Sequence, residues 1–484
     1  MAGAETFKEP GRRARFETVG LLETEYASNV LADQAPLLSS RRLNGRLNWV
    51  WLVLFVFGLC VVIAPNLTME AVSGTLLALF FSLIILRGAL VMSSCLGQKR
   101  NRGTGHGLPP LRTWPTYTVL IPLFDEAASV PNLVAALNRL DYPMDKLEVI
   151  FLVEETDSET SQAVRQSQLP ATWSILVLPD GVPRTKPRAL NVGLGRARGN
   201  YLTIYDAEDR PHPAQLKAAV LEFEQEGAEN VACIQAPLRA HNGVCSWVSG
   251  HWGLEYDVHF GLVVPALARS GLPIALGGTS NHFRVDVLKA VGGWDAWNVT
   301  EDADLGIRFA RLGWKIGSIS LPTLEEAPES LAVWTAQRSR WIKGYMQTWG
   351  VLMTRPLSVI PELGVREYIA IQLLLGGAIL SACFHGPLII WFLAGFAIPE
   401  SAISGVSLSV IGLGYIVSAM SAFLAPGRGA NRWLLVLTLP IYWPLLSIAA
   451  LRAVIELFKS PYSWAKTPHG LTANTSSLDP AAFH

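Results

Sequence analysis

The hydrophobic pattern divides the chain into two apolar regions that flank a mixed central one. Uncharged or nearly uncharged runs occupy residues 48–65 and 72–94, and Arg87 interrupts the second. Three more apolar runs follow the central region, at 368–394, 403–425 and 433–454. A helix crosses a bilayer with about 17 to 25 predominantly apolar residues. The pattern therefore predicts about five membrane segments, two before the central region and three after it.

The last apolar run leaves the topology open. Pro440 and Pro444 interrupt it, which favours a broken or re-entrant segment. Five full crossings would put the two chain ends on opposite sides of the membrane. The C-terminal tail, residues 456–484, nevertheless carries Lys459 and Lys466, and basic residues favour the cytosolic side.

Between residues 113 and 350 short apolar runs alternate with amphipathic stretches. Strands are predicted at 118–123, 147–153, 175–178 and 201–205. Helices are predicted between them and after them, at 129–140, 187–198 and 213–226. Such an alternation indicates an α/β domain with a mostly parallel sheet.

Composition supports a membrane protein and excludes some partners. Charged residues are 16% of the chain, against roughly 25% in soluble domains, and the mean hydropathy is +0.31. The net charge of +0 gives no reason to propose a nucleic-acid partner. Residues 1–46 are polar and basic, which predicts a partly disordered cytosolic tail without a cleavable signal peptide. The five cysteines are scattered and indicate neither a disulfide framework nor a zinc site.

Acidic residues follow two of the predicted strands. Segment 154–157 (EETD) comes after the second strand, and segment 206–209 (DAED) comes after the fourth. Ligands bind at the carboxyl edge of an open α/β sheet, and Mg²⁺ or Mn²⁺ on a diphosphate uses one or two carboxylates. The alternative is an ordinary solvated turn, because acidic turns are common.

Four other elements lie between or after these acidic segments along the chain, and each is ambiguous when taken alone. Lys186 precedes the fourth strand and is either a ligand residue or a surface lysine. Segment 300–302 (TED) is either a catalytic element or a helix cap, and segment 337–341 (QRSRW) is either a site element or an interfacial anchor. The glycine-rich segment 277–281 (GGTSN) is either a place for close backbone approach to a sugar or only a tight turn.

Taken in order, these motifs resemble the processive family 2 glycosyltransferases of the cellulose synthase superfamily, whose series is D, D-x-D, TED and QxxRW. Segments 118–126, 140–143 and 464–470 look more specifically like bacterial membrane glycan synthases near the phage N4 adsorption protein B group. The resemblance implies a GT-A-type (Rossmann-like) α/β domain at 113–350, inserted between transmembrane segments at 47–95 and 366–455. It also implies a multi-pass inner-membrane protein with a cytosolic catalytic domain.

The resemblance assigns a role to each matching residue. Asp302 would be the general base on the acceptor hydroxyl. Residues assigned to the donor nucleotide are Glu155, Asp157, Lys186, Asp206, Gln337, Arg340 and Trp341. Residues assigned to the acceptor are Gly278, Thr279, Glu301 and Trp341.

The metal position departs from the family pattern. Asp206 would bind Mg²⁺ or Mn²⁺, but the second D-x-D position is Glu208, with Asp209 beside it. The sequence does not choose between these two residues. A metal and an arginine suit the leaving diphosphate, since negative charge develops there.

The leading hypothesis is thus an inverting transferase that builds a β-linked polysaccharide from a nucleotide sugar, with a UDP-sugar favoured. Its partners would be the donor, the growing glycan and the bilayer, and an export or regulatory protein is left open. The alternatives are a non-processive transferase to a lipid carrier and a non-catalytic membrane receptor or transport component.

Overall fold

The computed structural model describes residues 14–43, 48–101, 113–397, 405–427 and 431–463. Its strands are β1 (Arg15–Thr18), β2 (Tyr117–Leu123), β3 (Leu147–Glu154), β4 (Trp173–Leu178), β5 (Tyr201–Ile204), β6 (Arg210–Pro211), β7 (Val231–Gln235), β8 (Leu238–Ala240), β9 (Asn281–Arg284), β10 (Lys315–Ser318) and β11 (Thr323–Glu325). The four predicted strands are confirmed as β2 to β5, within two residues at each end.

The main sheet has eight strands in the order β1-β4-β3-β2-β5-β9-β7-β10. All neighbouring pairs are parallel except those of β9, which runs antiparallel to both β5 and β7. The sheet is therefore mixed rather than purely parallel. A second sheet of three strands, β6-β11-β8, lies beside the carboxyl edge of β5, because β6 follows directly after the acidic turn at 206–209.

Helices cover both faces of the main sheet. Their bounds are α1 (Leu21–Gln34), α2 (Asn48–Ile63), α3 (Pro65–Asn101), α4 (Val130–Leu137), α5 (Ser158–Gln166), α6 (Lys186–Arg196), α7 (Gln215–Phe223), α8 (Trp247–Val258), α9 (Val264–Ser270), α10 (Val285–Ala290), α11 (Glu301–Arg311), α12 (Leu331–Met353), α13 (Pro356–Leu363), α14 (Val365–Ile371), α15 (Gly377–Ala397), α16 (Gly405–Leu424), α17 (Arg432–Tyr442) and α18 (Leu445–Lys459). The three predicted helices are confirmed as α4, α6 and α7.

Alternate residues of the central strands enter two different cores. Leu120 packs with the cluster on one face of the sheet, and its neighbours Val119 and Ile121 pack with the cluster on the other. Successive side chains of a strand point to opposite faces, so a strand covered on both sides is apolar throughout. This explains why β2 reads as a continuous apolar run.

Residues 14–43 of the predicted N-terminal tail are ordered and pack on the α/β domain. β1 pairs in parallel with β4, α1 follows it, and Ser40 donates its backbone N–H to Asp295 at 2.6 Å. The buried residues of α1 are Thr24, Ala27, Ser28 and Leu31. Their spacing is helical, but small and polar side chains give almost no hydrophobic signal. Residues 1–13 and 44–46 of the predicted tail lie outside the described chain.

Three helical segments of the described chain are long and apolar enough to cross a membrane: Pro65–Gly97, Val365–Ile390 and Gly405–Leu424. α2 has 16 residues, about 24 Å of helix, which is shorter than a hydrocarbon core of about 30 Å. α17 and α18 form a pair bent by 48°, which agrees with the broken segment expected at Pro440 and Pro444. In the described part of the chain, three helices, or four if the bent pair counts as one span, are therefore candidates for the five expected membrane segments.

The beginning of the C-terminal tail packs on the α/β domain. Lys343 of α12 donates to the carbonyl oxygen of Ser463 at 2.9 Å, and the Tyr462 hydroxyl donates to the carbonyl oxygen of Arg41 at 2.6 Å. Residues 460–463 therefore contact both α12 and the N-terminal segment. Residues 464–484, including Lys466, lie outside the described chain.

Candidate active site

Lys186 joins two of the motifs at the carboxyl edge of the sheet. It is the first residue of α6 and is 8% exposed. Its Nζ forms an ion pair with Asp206 and donates a 2.7 Å hydrogen bond to the carbonyl oxygen of Gly278. The interpretation of Lys186 as a surface lysine is therefore wrong.

The charge of Lys186 is held by its neighbours. Burial alone would lower its pKa, but the negative charges of Asp206 and Glu301 outweigh that effect and raise the pKa of Lys186 above its usual value. The site therefore contains a fixed cation beside the acidic turn.

The two candidates for the second metal ligand have different environments. Asp209 is 1% exposed; its Oδ2 accepts the backbone N–H of Asp206 at 2.7 Å and the hydroxyl of Thr279. Burial, and then the charges of Asp206 and Glu208, raise the pKa of Asp209 well above its usual value. Glu208, together with Asp206, instead lines a large cavity at the carboxyl edge of the sheet. Asp209 therefore holds the turn together, whereas Glu208 is accessible to a ligand.

Asp302 lies in the first turn of α11, opposite the glycine-rich segment. A Cβ added to Gly278 would lie 3.3 Å from Oδ2 of Asp302, so the glycine allows the two segments to approach closely. Thr279 is 2% exposed, and its hydroxyl contacts Asp209 and the carbonyl oxygen of Ile204. Gly278 thus borders the Asp302 carboxylate, and the Thr279 hydroxyl supports the acidic turn.

Glu301 and Asp302 form a pair of carboxyl groups with raised pKa values. Burial, followed by the charge of Asp302, raises the pKa of Glu301. Burial also raises the pKa of Asp302, although Lys186 and Arg340 oppose it. Glu301 is 6% exposed, whereas Asp302 faces the cavity more openly. Asp302 is therefore the better placed of the two for proton exchange with a ligand.

Helix α12 is fastened to the loop that carries Asp302. Gln347 accepts the backbone N–H of Val299 at 3.1 Å, and Asn298 donates to Thr348 at 2.9 Å. A Cβ added to Gly344 would lie 2.1 Å from the Thr300 hydroxyl. Glycine at this position therefore lets α12 lie directly against the TED segment.

Gln337, Arg340 and Trp341 all line the same cavity as Asp302. Gln337 accepts a 2.9 Å hydrogen bond from the indole N–H of Trp252. The Trp341 ring carries the guanidinium of Arg338 at 4.7 Å from its centroid. The predicted QxxRW segment thus reaches the site, and the anchor alternative for Trp341 does not describe its surroundings.

Glu155 and Asp157 lie beside the site but do not line the cavity. Glu155 is exposed at the end of β3. Asp157 caps α5 by accepting the backbone N–H of Thr160 at 3.1 Å, and it also accepts the backbone N–H of Asp125. Asp157 therefore orients the 124–126 loop, whose Phe124 and Glu126 do line the cavity.

One cavity of about 910 Å³ brings the motifs together. At the sheet edge it is bordered by Lys186, Asp206 and Glu208, and beyond these by Asp302 and Trp341. From there it continues between α3, α12 and α15. The elements that the sequence places in order along the chain are thus arranged around a single space.

Among the cavity residues that the sequence interpretation missed are Asp180, Arg184, Glu325 and Tyr345. Asp180 follows β4. The argument that singled out 154–157, that acidic residues after a strand lie at the ligand-binding edge of the sheet, therefore applies to Asp180 as well. Glu325 reaches the site only because β11 pairs with β6. Burial, and then the charges of Asp209 and Glu208, raise the pKa of Glu325 well above its usual value. No local pattern marks Glu325 or Tyr345.

Residues 115–344 match the family model described as glycosyltransferase like family 2. The matched region contains every motif described above. These residues form a glycosyltransferase family 2 domain. The chain therefore contains a transferase domain, which contradicts the interpretation as a non-catalytic receptor. Its domain has a GT-A-like α/β fold with a mixed sheet.

Curated relatives of this transferase have several activities. It is 26% identical over 238 residues to the probable glycosyltransferase YdaM of Bacillus subtilis (strain 168), which is 48% of this chain and 56% of that protein. It is 24% identical over 410 residues to beta-monoglucosyldiacylglycerol synthase of Synechocystis sp., which is 80% of this chain and 82% of that enzyme. It is 26% identical over 239 residues to glucomannan 4-beta-mannosyltransferase 2 of Arabidopsis thaliana, with 48% and 44% coverage.

Among solved structures, the transferase is similar to a mannosyltransferase from Pyrobaculum calidifontis in complex with GDP-Man and Mn²⁺. The TM-score is 0.47 and the identity 18%, over 79% of this chain and 99% of that one.

The carboxylates of the transferase domain fit a divalent cation that is held mainly by a substrate. The described residues contain no preformed group of three metal-binding side chains. Mg²⁺ bound to a nucleotide needs only one or two carboxylates besides the phosphate oxygens. Asp206 and Glu208 supply two, both facing the cavity.

Proposed function

We propose that the protein is a membrane-bound inverting glycosyltransferase that moves a sugar from a nucleoside diphosphate sugar, with a UDP-sugar favoured, to an acceptor hydroxyl. The observation that supports this most directly is the single cavity that joins the Lys186–Asp206 pair to Asp302 and then continues between the apolar helices. Donor and acceptor would meet at Asp302 from opposite ends.

Asp302 would act as the general base. The acceptor oxygen attacks the anomeric carbon, its proton passes to Asp302, and the bond from that carbon to the diphosphate oxygen breaks. The raised pKa of Asp302 suits this role, because a base is most effective when its pKa lies near the working pH. One displacement inverts the anomer, so an α-linked donor would give a β-linked product.

The leaving diphosphate would be held by Lys186 and Arg340, with Gln337 and Trp341 beside it. Asp206 and Glu208 would hold Mg²⁺ or Mn²⁺, which supplies charge neutralisation for the diphosphate. Asp209 would support the turn rather than bind the metal, since its Oδ2 already accepts two hydrogen bonds. Glu155 and Asp157 remain predictions for the nucleoside, with Asp157 acting through the 124–126 loop.

The acceptor end would be formed by Gly278 and Trp341 around Asp302. Gly278 leaves room beside the carboxylate, and an indole face suits a sugar ring or another flat apolar surface. Glu301 is too enclosed to meet an acceptor freely and would tune Asp302, while Thr279 supports the turn.

We also propose four membrane crossings, with the catalytic domain in the cytosol. α2 and α3 would form the first pair of crossings, with the bilayer thinned around the shorter α2, and α15 and α16 would form the second. The chain after α16 returns to the α/β domain, where Pro426 lies against Gly261 and Arg432 lies 3.8 Å from Asp257. Since residues 460–463 also pack there, α17 and α18 would lie along the membrane surface instead of crossing it.

An apolar stripe on this bent pair supports that placement. Exposed apolar side chains recur at helical spacing along both helices: Leu434, Leu437, Ile441, Ile448, Leu451, Ile455 and Phe458. The opposite face is buried against the protein. This stripe would contact lipid, and the return of both ends of the pair to the α/β domain is what favours the membrane surface over a crossing.

Polymerisation into a β-linked polysaccharide, coupled to export, is the second candidate. It is favoured by the position of the 337–341 segment on the cavity wall and by relatives named glucomannan 4-beta-mannosyltransferase. Single transfer to a lipid is the competing candidate, and the Synechocystis relative is named for such a product.

The test is to incubate the purified full-length protein in lipid nanodiscs with a panel of UDP- and GDP-sugars, with Mn²⁺ or with EDTA. Release of nucleoside diphosphate from one donor, dependent on the metal, is expected. Nuclear magnetic resonance of the product should show a β-linkage. A folded protein that turns over no donor, or a product with retained configuration, would contradict the proposal.

A further inference from the structure

The cavity has two chemically different parts. The donor half is lined by Lys186, Asp206 and Glu208 at the sheet edge. The aliphatic half is lined by Leu83, Leu86 and Leu90 of α3 and by Leu374, Ala378 and Ile379 at the start of the Val365–Ile390 segment. Asp302 and Trp341 lie where the two halves meet.

The walls of the aliphatic half suit hydrocarbon better than a glycan. A buried hydroxyl without a hydrogen-bond partner costs roughly 2 to 7 kcal/mol in transfer from water, and each sugar carries several hydroxyls. Leucine, isoleucine and alanine side chains offer no such partners, and among the residues of the Val365–Ile390 segment that line the cavity only Ser381 carries a hydroxyl. A hydrocarbon chain, in contrast, gains free energy by leaving water for such a surface.

Arg87 is the exception in this aliphatic wall. It lies on the same face of α3 as Leu83, Leu86 and Leu90, and its exposed surface opens on the cavity. Among the described residues, none forms a hydrogen bond or an ion pair with Arg87. An arginine inside an apolar helix is costly unless an anion or another polar group meets it.

The nearest acid does not neutralise Arg87. Glu255 is the acidic side chain whose charge acts on Arg87, but it forms its ion pair with Arg338. It also accepts the hydroxyl of Tyr442 at 3.0 Å. Arg87 and Arg338 therefore share one glutamate, Glu255. One positive charge is left in excess beside the aliphatic half.

His259 adds no second positive charge there. It lines the cavity near the two arginines, and burial, followed by the charges of Arg87 and Arg338, lowers the pKa of His259 to about 4. The imidazole is thus neutral at physiological pH. The excess of one positive charge is that of Arg87 itself.

We propose that the acceptor is a membrane lipid whose head carries both a free hydroxyl and an anionic phosphate. The hydrocarbon chain lies in the aliphatic half, the phosphate pairs with Arg87, and the hydroxyl reaches Asp302. Guanidinium groups bind phosphate in a bidentate manner, and such pairs are strong away from water.

This inference rests on the proposed function and specifies its acceptor. The lipid oxygen bonds to the anomeric carbon of the donor sugar, its proton goes to Asp302, and the nucleoside diphosphate leaves. The product is a glycosylated lipid that stays in the membrane. Two sources share this chemistry, a phosphoglycerolipid and a sugar linked through diphosphate to a polyprenol.

The experiment uses the full-length protein in nanodiscs with the donor that it turns over. Phosphatidylglycerol, a polyprenyl-diphosphate sugar, neutral diacylglycerol and a soluble oligosaccharide are supplied separately, and label is measured in organic-soluble and water-soluble products. Label is expected in a lipid product from one of the two phosphate-bearing lipids, at least 10-fold above diacylglycerol. Equal use of diacylglycerol, or label only in a water-soluble polymer, would overturn the lipid proposal while leaving the proposed function intact.

Two pairs of variants locate the lipid. Ala378→Trp fills the aliphatic half and should abolish lipid labelling, whereas Leu380→Trp, on the same helix but away from the cavity, should not. Arg87→Gln should lower kcat/KM for the phosphate-bearing lipid by about 10- to 100-fold, and Arg87→Lys should restore part of it. An unchanged preference for that lipid in Arg87→Gln would overturn the assignment of Arg87.

Lipid binding separates the failure of the inference from that of the proposed function. Native mass spectrometry without donor should find the phosphate-bearing lipid on the wild type and on Leu380→Trp, but much less on Ala378→Trp. Bound lipid without any donor turnover would overturn the proposed transfer but not the lipid site. Donor turnover with equal lipid retention by both tryptophan variants would overturn the site.

Discussion

The donor half and the aliphatic half of the cavity are built in different ways. Lys186, Asp206 and Glu208 come from consecutive strand and helix ends of one α/β domain, so short loops bring them together. Leu86 and Ala378 come from helices almost three hundred residues apart and meet only through packing. The first half is set by local loop geometry, whereas the shape of the second depends on side chains that meet only through the packing of distant helices.

Asp302 lies between the two halves, and its replacement should have the largest effect. Asp302→Asn should reduce kcat by about 10²- to 10⁴-fold, because the acceptor loses its base, with the donor dissociation constant nearly unchanged. Steady-state turnover assays measure kcat, and equilibrium binding measures the donor dissociation constant. Asp145→Asn, at an exposed position, is the matched control. Weakened donor binding with an intact kcat would instead assign Asp302 to the donor half.

Variants of the acidic turn test which of its carboxylates bind the metal. Glu208→Gln and Asp206→Asn should each raise the Mn²⁺ concentration for half-maximal activity by about 10- to 100-fold, since both carboxylates face the cavity. Asp209→Asn should leave the Mn²⁺ requirement nearly unchanged, because Asp209 is buried and its Oδ2 is occupied by hydrogen bonds from Asp206 and Thr279. Turnover measured against Mn²⁺ concentration tests both expectations. A raised Mn²⁺ requirement in Asp209→Asn alone would assign the metal to Asp209 and the support of the turn to Glu208.

The contact between α12 and the TED segment joins the two halves mechanically. Gly344→Ala should destabilise the protein by about 1 to 3 kcal/mol, because the added Cβ overlaps the Thr300 hydroxyl. Gly195→Ala is the matched control, since its added Cβ meets nothing within 4 Å, and alanine is favoured over glycine in a helix by about 0.5 to 1 kcal/mol. Thermal unfolding in detergent measures both. Equal midpoints for the two variants would show that the contact can relax.

The difference between the halves also explains what could be predicted from the sequence. The central strands and the helices between them are marked by strong local patterns, and the strand-end rule pointed to Asp206 and its neighbours before any contact was known. Glu325 could not be found in this way, because only the pairing of β11 with β6 brings it to the turn. The order in residues 14–43 has little signal in the sequence for a related reason: apart from Leu31, the buried face of α1 is made of small and polar residues.

The membrane region was harder for physical reasons. Hydrophobicity indicates that a helix avoids water, but it does not distinguish a helix that crosses the bilayer from one that lies on its surface. The bent α17–α18 pair is as apolar as a span, yet both its ends lie near the α/β domain through Arg432 and Ser463. The sequence shows that Arg87 interrupts an apolar run, but only the packing of α3 against α8 shows that it lies near Glu255.

The smallest expected effect is on the pH profile, and it concerns the junction of the two halves. Burial raises the pKa of Asp302, and a base must be deprotonated to work. The value of kcat/KM should therefore fall on the acid side through a pKa above the 3.9 of an ordinary aspartate. At higher pH no early loss is expected from Lys186, because the charges of Asp206 and Glu301 raise its pKa. Initial rates across pH measure the profile. The residual activity of Asp302→Asn should lack this acid limb, and an identical limb in that variant would mean that a different group accepts the proton.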